Sequence, residues 1–274
     1  MHATLSLSTQ SRNGRTVLKE CYATPPLKLI ALPPHKHTLH AVQMSSSPGL
    51  LAGDVIDTSI TLAAHTSLAL YTQAFTRVLS MNAGGAARQH TRIRLAEGSS
   101  LTFLPHPLVL HTGSTLHQTT EITLDNNTEL LYGEILAAGR VRNGEAFAFE
   151  RLSSRLNIRH QNCLLLTDNI QWQPGLYPPA RIGQMEHYTH QLNLFYVHTG
   201  DADLSAPLEN LHQCLSENHA EHSPDLLWGV SRSAPRALCL RALAADAQTL
   251  QNLLHLAVTL LSPRQAPPSS VFFR

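Results

Sequence analysis

The chain has 274 residues, of which 43% are hydrophobic, and its 20 lysines and arginines nearly balance its 19 acidic residues. This length suits one large domain or two small ones, and the hydrophobic content excludes disorder of the whole chain. A net charge of +1 without a basic run argues against nucleic acid and anionic membranes as partners, and no apolar stretch is long enough to cross a bilayer.

The N-terminal segment lacks the basic-then-apolar pattern and the cleavage site of a secretory signal, which predicts a cytoplasmic protein. Four scattered cysteines form no C-x-x-C motif: Cys21, Cys163, Cys214 and Cys239. We interpret them as small buried side chains rather than as a disulfide framework or a zinc site.

The first part of the chain is predicted to be extended. Pro25 and Pro26 exclude a helix and favour an extended segment over residues 20–32. Residues 39–44 alternate like a strand, and residues 45–54 are predicted to form a loop. Three residues typical of turns lie in that loop: Pro48, Gly49 and Gly53.

Three segments then repeat one pattern, beginning at Ile60, Ile93 and Ile122, about 30 residues apart. Each has a branched aliphatic residue, a Leu two positions later, a turn-forming stretch and a second alternating strand. Side chains alternate across a strand, so each repeat places four apolar residues on one face. The residues on these faces are Ile60, Leu62, Leu68, Leu70; Ile93, Leu95, Leu101, Phe103; and Ile122, Leu124, Leu130, Tyr132. One repeat cannot bury such a face alone, which predicts a solenoid-like stack with Leu68, Leu101 and Leu130 at equivalent buried positions.

The later part of the chain alternates between short strands and helices. Four further strands are predicted, over residues 146–152, 155–160, 163–170 and 190–200. A Pro- and Gly-rich loop is predicted over 171–183, and a strand pair over 226–232 and 236–243. Helices are predicted over 205–220, capped by Ser205, and over 247–261, capped by Asp246.

The expected fold is therefore mainly β, a β-helical or solenoid-like stack of short strands with two C-terminal helices. We predict one domain over residues 1–262 and a mobile tail over 263–274. The leucine stripe of the second helix, within 250–261, is expected to exceed what the body can bury and to leave exposed apolar surface for a partner.

No nucleotide-binding, nucleophile-elbow or H-E-x-x-H motif is present. His35 and His37 have the spacing that puts two rings on one face of a strand, but they follow two prolines and have no nearby carboxylate. They are either weak metal contacts or surface histidines. His106 and His111 are open to the same two interpretations.

Two carboxylates attract more interest. Glu134 lies on the same alternating face as Leu130 and Tyr132, where a charge is costly unless it is paired or lines a wet cavity. It therefore either forms a buried salt bridge, for example to Arg140 or Arg142, or lines an internal polar passage. Asp54, at the end of the Gly-bearing loop, can cap a turn by bonding nearby backbone N–H groups.

Four motifs in order resemble those of the UreD/UreH urease accessory proteins. SSSPGLLAGD resembles the family's NPGGGLVGGD, TQAFTRVL its TQAATKIY, LPHPLVLHTGS its LPQPTILFDGA, and ELLYGEILAAGRVRNGEAF its LLWDELLVLGRxARGE. The resemblance covers roughly residues 20 to 245. Ser45–Ser47 replace the usual Asn and part of the Gly run, Leu51-Ala52 interrupt the Gly pair, and Tyr132 replaces the common Trp.

The resemblance implies a non-catalytic scaffold with a β-helical body and two helices. It implies direct binding of UreF, binding of the GTPase UreG through UreF, and docking on apo-urease. Nickel would pass transiently through an internal tunnel, with no tightly bound cofactor. Asp54 and Glu134 match family acidic residues and would line the tunnel. Other motif positions carry structural roles: Gln73, Arg140, Gly144 and Glu145.

An alternative from another class is a small cupin-like metal-dependent β-enzyme built on the clustered histidines. Such a site needs an H-x-H followed by a Glu, and His35-x-His37 has no such Glu.

Overall fold

The computed structural model describes residues 1–33, 37–219 and 223–263. The strands are β1 His2–Arg12, β2 Arg15–Ala23, β3 Leu27–Ala31, β4 Leu39–Ser45, β5 Val55–Leu62, β6 Ser67–Gln73, β7 Thr76–Val78, β8 Ala87–Leu95, β9 Ser100–Leu104, β10 Leu108–Leu110, β11 Thr115–Leu124, β12 Glu129–Ala137, β13 Arg151–His160, β14 Cys163–Trp172, β15 His190–His198, β16 Leu226–Ala234 and β17 Ala237–Ala244. The helices are α1 Ser205–Asn218 and α2 Ala247–Leu261, and a 3-10 turn spans Val141–Asn143.

The strands form two sheets. The first sheet has the order β14-β13-β11-β8-β5-β1-β2, and the second has β16-β17-β15-β12-β9-β6-β4-β3, with β7 and β10 as a short third ladder beside β12. The central strands are parallel in both sheets, and antiparallel strands close both ends. The predicted fold class, mainly β and solenoid-like with two C-terminal helices, is confirmed.

The repeat is the unit that builds the two sheets. Each repeat gives one strand to the first sheet and the next strand to the second: β5 and β6, β8 and β9, β11 and β12. In the first sheet Ile60 pairs with Ile93, which pairs with Ile122. In the second sheet Leu68, Leu101 and Leu130 align in the same way, and all three are fully buried. The prediction that these leucines share one stack is confirmed.

The turns between paired strands also repeat. Each has one residue in the left-handed backbone region at the equivalent position: His65 at φ 57°, Gly98 at φ 66° and Asn127 at φ 56°. The hydroxyl of the next residue donates back across each turn: Thr66 to the Ala63 carbonyl at 2.7 Å, Ser99 to Ala96 at 2.6 Å and Thr128 to Asp125 at 3.2 Å. The middle turn requires glycine, because a Cβ on Gly98 would lie 2.4 Å from the His65 ring.

The two helices cover the outer face of the second sheet. Their apolar residues pack against outward-facing residues of β6, β12, β15 and β17 in one cluster. The stripe of α2 is buried there, and in this helix only Leu260 is an exposed large apolar residue among those that the structure describes. The expectation of exposed apolar helix surface is therefore wrong, because the sheet supplies a matching apolar face.

Helix capping is confirmed for α2 and wrong for α1. Asp246 Oδ1 accepts a hydrogen bond from the Thr249 backbone N–H at 2.9 Å. The cap position of α1 is Leu204, whose side chain makes no capping bond, and Ser205 is the first helical residue. The helix ends at Asn218, and residue 220 of its predicted span lies outside the described residues.

Several predicted boundaries also shift. The strand pairs over 155–170 and 226–243 and the strand at 190 are present, but residues 146–150 of the predicted strand 146–152 are bends before β13.

The cysteines are all free, but only Cys239 is buried, while Cys21 and Cys163 are exposed. Their interpretation as buried side chains is therefore wrong for these two, which lie on strands at the ends of the first sheet.

Neither helix in the described residues is long and apolar enough to span a membrane. The predicted tail lies outside the described residues from position 264 onward.

Candidate functional site

The space between the two sheets holds an apolar core that is divided by polar side chains. One apolar cluster contains the repeat residues such as Ile60 and Leu68, and the other contains residues nearer the starts of the first-sheet strands, such as Leu116. The side chains between the clusters are polar, and we call them the polar layer. It consists of Gln43, Thr58, Thr72, Gln89, Thr91, Gln118, Thr120, Glu134, Ser154, Asp168, Asn193 and Arg241.

The layer is continuous because it follows the strand register. In the first sheet Thr58, Thr91 and Thr120 lie side by side on neighbouring strands. In the second sheet Glu134 pairs with Asn193, which pairs with Arg241. This layer was not predicted from the sequence. The available signal was a Thr two positions before the first Ile of every repeat, on the inward face where an apolar residue is expected.

Two adjoining cavities occupy one side of the polar layer. The inner one, about 80 Å³, is bordered by Glu134, Gln118 and the three threonines. The outer one, about 200 Å³, reaches the loop that carries Pro48 and Gly49. The cavities share five lining residues: Gln43, Ile56, Thr72, Thr76 and Gln89. The two cavities therefore adjoin between this loop and the middle of the sheet pair.

Glu134 is the acidic centre of the layer. It is 7% exposed, and its Oε2 accepts a hydrogen bond from Gln118 Nε2 at 2.9 Å. Burial, together with the negative charge of Asp168, raises its pKa to about 7 although the Gln118 bond opposes the shift. The salt bridge to Arg140 or Arg142 is absent from the described structure, because Arg140 instead pairs with Glu145 on the surface.

The far end of the layer is closed by an ion pair between the sheets. Arg241 Nη2 donates to Asp168 Oδ1 at 2.6 Å, which joins β17 to β14. Between this pair and Glu134 lies Asn193, which is fully buried and whose Nδ2 has no hydrogen-bond partner among the described residues. A buried amide in this position favours water or a polar ligand as its partner.

Asp54 lies near the mouth of the outer cavity rather than beside Glu134. Its Oδ2 accepts from the Leu51 backbone N–H at 2.8 Å, and its Oδ1 accepts from the Met1 ammonium at 2.8 Å. The turn-capping interpretation is therefore correct. Asp54 is not among the described residues that line either cavity, although Met1 is one of them.

The family-motif glycines shape this mouth. A Cβ on Gly49 would lie 2.8 Å from the Arg77 carbonyl oxygen, so no larger residue fits there without a shift. Gly53 has a φ of +81°, which other residues rarely adopt. Pro48 and Gln73 line the outer cavity with Gly49.

The motif around Arg140 is a surface clamp apart from the layer. Arg140 donates to Glu145 through Nε at 2.9 Å and through Nη2, and Gly144 ends the 3-10 turn between them at φ 77°. Both charged side chains are at least partly exposed, so the pair contributes little to stability.

The histidines do not form a metal centre in the described part of the chain. No group of three His, Cys, Asp or Glu side chains is arranged there to hold an ion. His35 lies outside the described residues, and the His37 ring bonds to the Gly14 carbonyl at 3.0 Å. The four-ligand arrangement of a cupin-like enzyme is therefore not found among residues 1–33, 37–219 and 223–263.

His106 and His111 differ in position. His106 borders the inner cavity, and burial lowers its pKa, which favours the neutral ring that can bind a metal. Burial first, and then the charge of Arg140, lowers the pKa of His111. Only His106 is brought to the polar layer, so beside the Asp168–Arg241 pair the layer offers the Glu134 carboxylate, one imidazole and several amide and hydroxyl oxygens. Such a set suits weak, exchanging contacts with a divalent cation.

Comparisons with known proteins match almost the whole chain. The family described as "UreD urease accessory protein" matches residues 1–271. A protein named "Urease accessory protein UreD" from Actinobacillus pleuropneumoniae serotype 5b (strain L20) is 45% identical over 260 residues, which cover 92% of this chain and 94% of that protein. A protein of the same name from Haemophilus influenzae (strain PittGG) is 46% identical over 263 residues, covering 92% and 96%.

Proposed function

The chain belongs to the UreD family of urease accessory proteins, which gives it a role in urease maturation, and we propose that it fills this role as a non-catalytic scaffold along which nickel passes to the enzyme. The polar layer is the proposed route. Its partners in this proposal are UreF directly, the GTPase UreG through UreF, and apo-urease.

The observation that carries the proposal is the placement of Glu134. A buried carboxylate without a cationic partner is costly, and the fold accepts that cost at the centre of a polar layer that adjoins a cavity. A structural role alone would be served better by an apolar residue, because apolar clusters lie on both sides. A site that must receive a cation needs this charge.

The pKa of Glu134 explains how the route could hold and release its cargo. With a pKa of about 7, the side chain is close to half protonated at neutral pH. A divalent cation entering the cavity would displace the proton, and a proton would replace the cation when it leaves. The side chain bonded to Glu134 is the neutral amide of Gln118 rather than a second carboxylate. A cation at Glu134 would therefore be held weakly, as transfer requires.

The deciding experiment compares Glu134→Gln with Glu129→Gln. Glu129 lies on the same strand but outside the layer, where its Oε1 accepts from Ser262 Oγ. Each variant would be co-expressed with urease and the other accessory proteins, and the purified urease would be analysed for nickel content. Co-elution of each variant with UreF would report the complex.

We expect Glu134→Gln to form the UreF complex and to slow nickel loading about tenfold, which corresponds to ~1.4 kcal/mol in the barrier, while Glu129→Gln loads normally. Normal loading by a soluble, complex-forming Glu134→Gln protein would remove this residue from the route.

Asp54 has a secondary place in the proposal, because it holds the loop at the mouth. Asp54→Ala should keep the fold and the UreF complex and reduce nickel loading less than Glu134→Ala does, and the double variant should be worse than either. If Asp54→Ala lowers loading only in proportion to lost soluble protein, its role is confined to the turn that it caps.

A further inference from the structure

The two sheets differ in what covers their outer faces. The second sheet is packed by both helices, whereas no element of the described structure packs on the outer face of the first sheet. Parallel strands are usually covered on both faces. Here the outward residues of β8, β11 and β13 are polar or charged, so this face is built to meet water or a charged partner.

Arginines are concentrated on this face. Six arginines occupy outward-facing positions, three on β8 and three on β13: Arg88, Arg92, Arg94, Arg151, Arg155 and Arg159. We call this group the arginine face. Only β11 separates the two strands, so the two rows lie about 10 Å apart. Five of the six side chains are exposed and Arg159 is half-buried.

The carboxylates on the same face do not neutralise it. Asp57 pairs with His2, and Glu121 accepts a hydrogen bond from Asn157 Nδ2 at 2.7 Å. Glu150 borders a surface cavity at the end of this face together with Arg88 and Arg151. Among the described residues, no carboxylate lies within ion-pairing distance of any of the six guanidinium groups. The face therefore keeps a net positive charge although the whole chain is nearly neutral.

The histidine between the two rows senses this charge. His117 lies on β11 beside Arg88 in register. Burial lowers its pKa first, and the positive charges of Arg151 and Arg88 lower it further.

We propose that the arginine face is a docking surface for an acidic protein surface. Six arginines and no lysine supply the charge here, and arginine is enriched in protein interfaces because its planar group makes paired bonds to carboxylates. The fixed strands set the spacing of the rows, so the partner needs carboxylates in a similar arrangement. This inference is independent of the proposed metal route.

Two other occupants fit less well. A nucleic acid presents a continuous row of phosphates that would meet Glu121 and Asp57, whereas a protein can place its carboxylates opposite the arginines alone. A second copy of this chain could offer the acidic side chains around α1, such as Asp203 and Glu209, but Asp203 is already bonded to Arg232. Such a head-to-tail contact would produce a ring or an open chain of copies rather than a closed two-fold dimer.

The test uses poly-L-glutamate as a defined probe of acidic protein surface. Binding to the full chain would be measured at low and high NaCl, with a short DNA duplex as the competing probe. The test variant is Arg92→Gln/Arg94→Gln/Arg155→Gln. The matched control removes the same charge elsewhere, in Arg12→Gln/Arg15→Gln/Arg142→Gln, whose side chains are also exposed.

We expect wild-type protein and the control variant to bind poly-L-glutamate with similar affinity and a strong salt dependence, and the test variant to bind roughly tenfold or more weakly. Replacing the same three residues by lysine should give an intermediate affinity, because lysine keeps the charge but not the paired bonds to carboxylates, and binding above that of the glutamine variant would show that charge and not fold is at issue.

Equal losses in the test and control variants would overturn the proposal, because net charge alone would explain the binding. Tighter binding of the DNA duplex, lost in the test variant, would assign the face to nucleic acid instead. Self-association of the wild-type chain that the test variant abolishes in sedimentation would assign it to a second copy.

Discussion

Replacing Glu134 by Gln should change how the stability of the protein depends on pH. The pKa of Glu134 is raised from 4.5 to about 7 in the folded protein. Between these values the folded protein keeps a proton that the unfolded chain has released. The free energy of unfolding therefore falls as the pH rises through this window, and is level above it. At about 1.4 kcal/mol for each pKa unit, the loss amounts to roughly 3 kcal/mol.

Glutamine has nearly the same shape, can accept the Gln118 hydrogen bond and does not titrate. Urea unfolding at several pH values between 4.5 and 8 would give the stability of both proteins. We expect the free energy of unfolding of the variant, relative to that of wild type, to be roughly 3 kcal/mol higher at the upper end of this pH range than at the lower end. Glu129→Gln should show no such gain. A difference between Glu134→Gln and wild type that stays constant with pH would refute the burial argument, since the carboxylate would then be equally solvated in both states.

Three further outcomes are expected. Leu101→Ala, in the centre of the repeat stack, should lower the free energy of unfolding by about 2–5 kcal/mol in urea titrations, because its site is fully buried. Gly98→Ala should destabilise the protein by more than Gly53→Ala, since both have positive φ but only Gly98 would clash, and thermal melts would rank them. Asp168→Asn should lower the pKa of Glu134, because it removes a nearby negative charge, and should shift the pH window of its unfolding curve downward.

The stack of repeats could be predicted because its register is written in the apolar alternation. Ile60, Ile93 and Ile122 stand at one level of the sheet, and a one-residue slip would turn each of them outward. The apolar stripe of α2 could also be predicted. The sequence of the helix alone does not show that the second sheet offers a matching apolar face. The expected exposure of the helix was wrong for that reason.

The polar layer could not be assembled from the same reasoning. A threonine fits a strand position whether it faces water or the interior, so Thr58 and Thr91 carry little information singly. Asp168 on β14 and Arg241 on β17 are far apart in sequence, and they meet only because the two sheets face each other. Glu134 draws attention because a carboxylate contrasts with its apolar neighbours, whereas Asp54 draws attention through a motif, and the structure shows it capping the turn at Leu51.

The register of the threonines also fixes the dimensions of the interior. Each repeat of about 30 residues adds one strand to each sheet and therefore one step of about 4.8 Å to the polar layer. Thr58, Thr91 and Thr120 mark three successive steps. Insertion or deletion of a whole repeat would lengthen or shorten the layer by one such step without disturbing the pairing on either side. The length of the polar layer along the stack is thus set by the number of repeats, while insertions in the turns would leave this length unchanged.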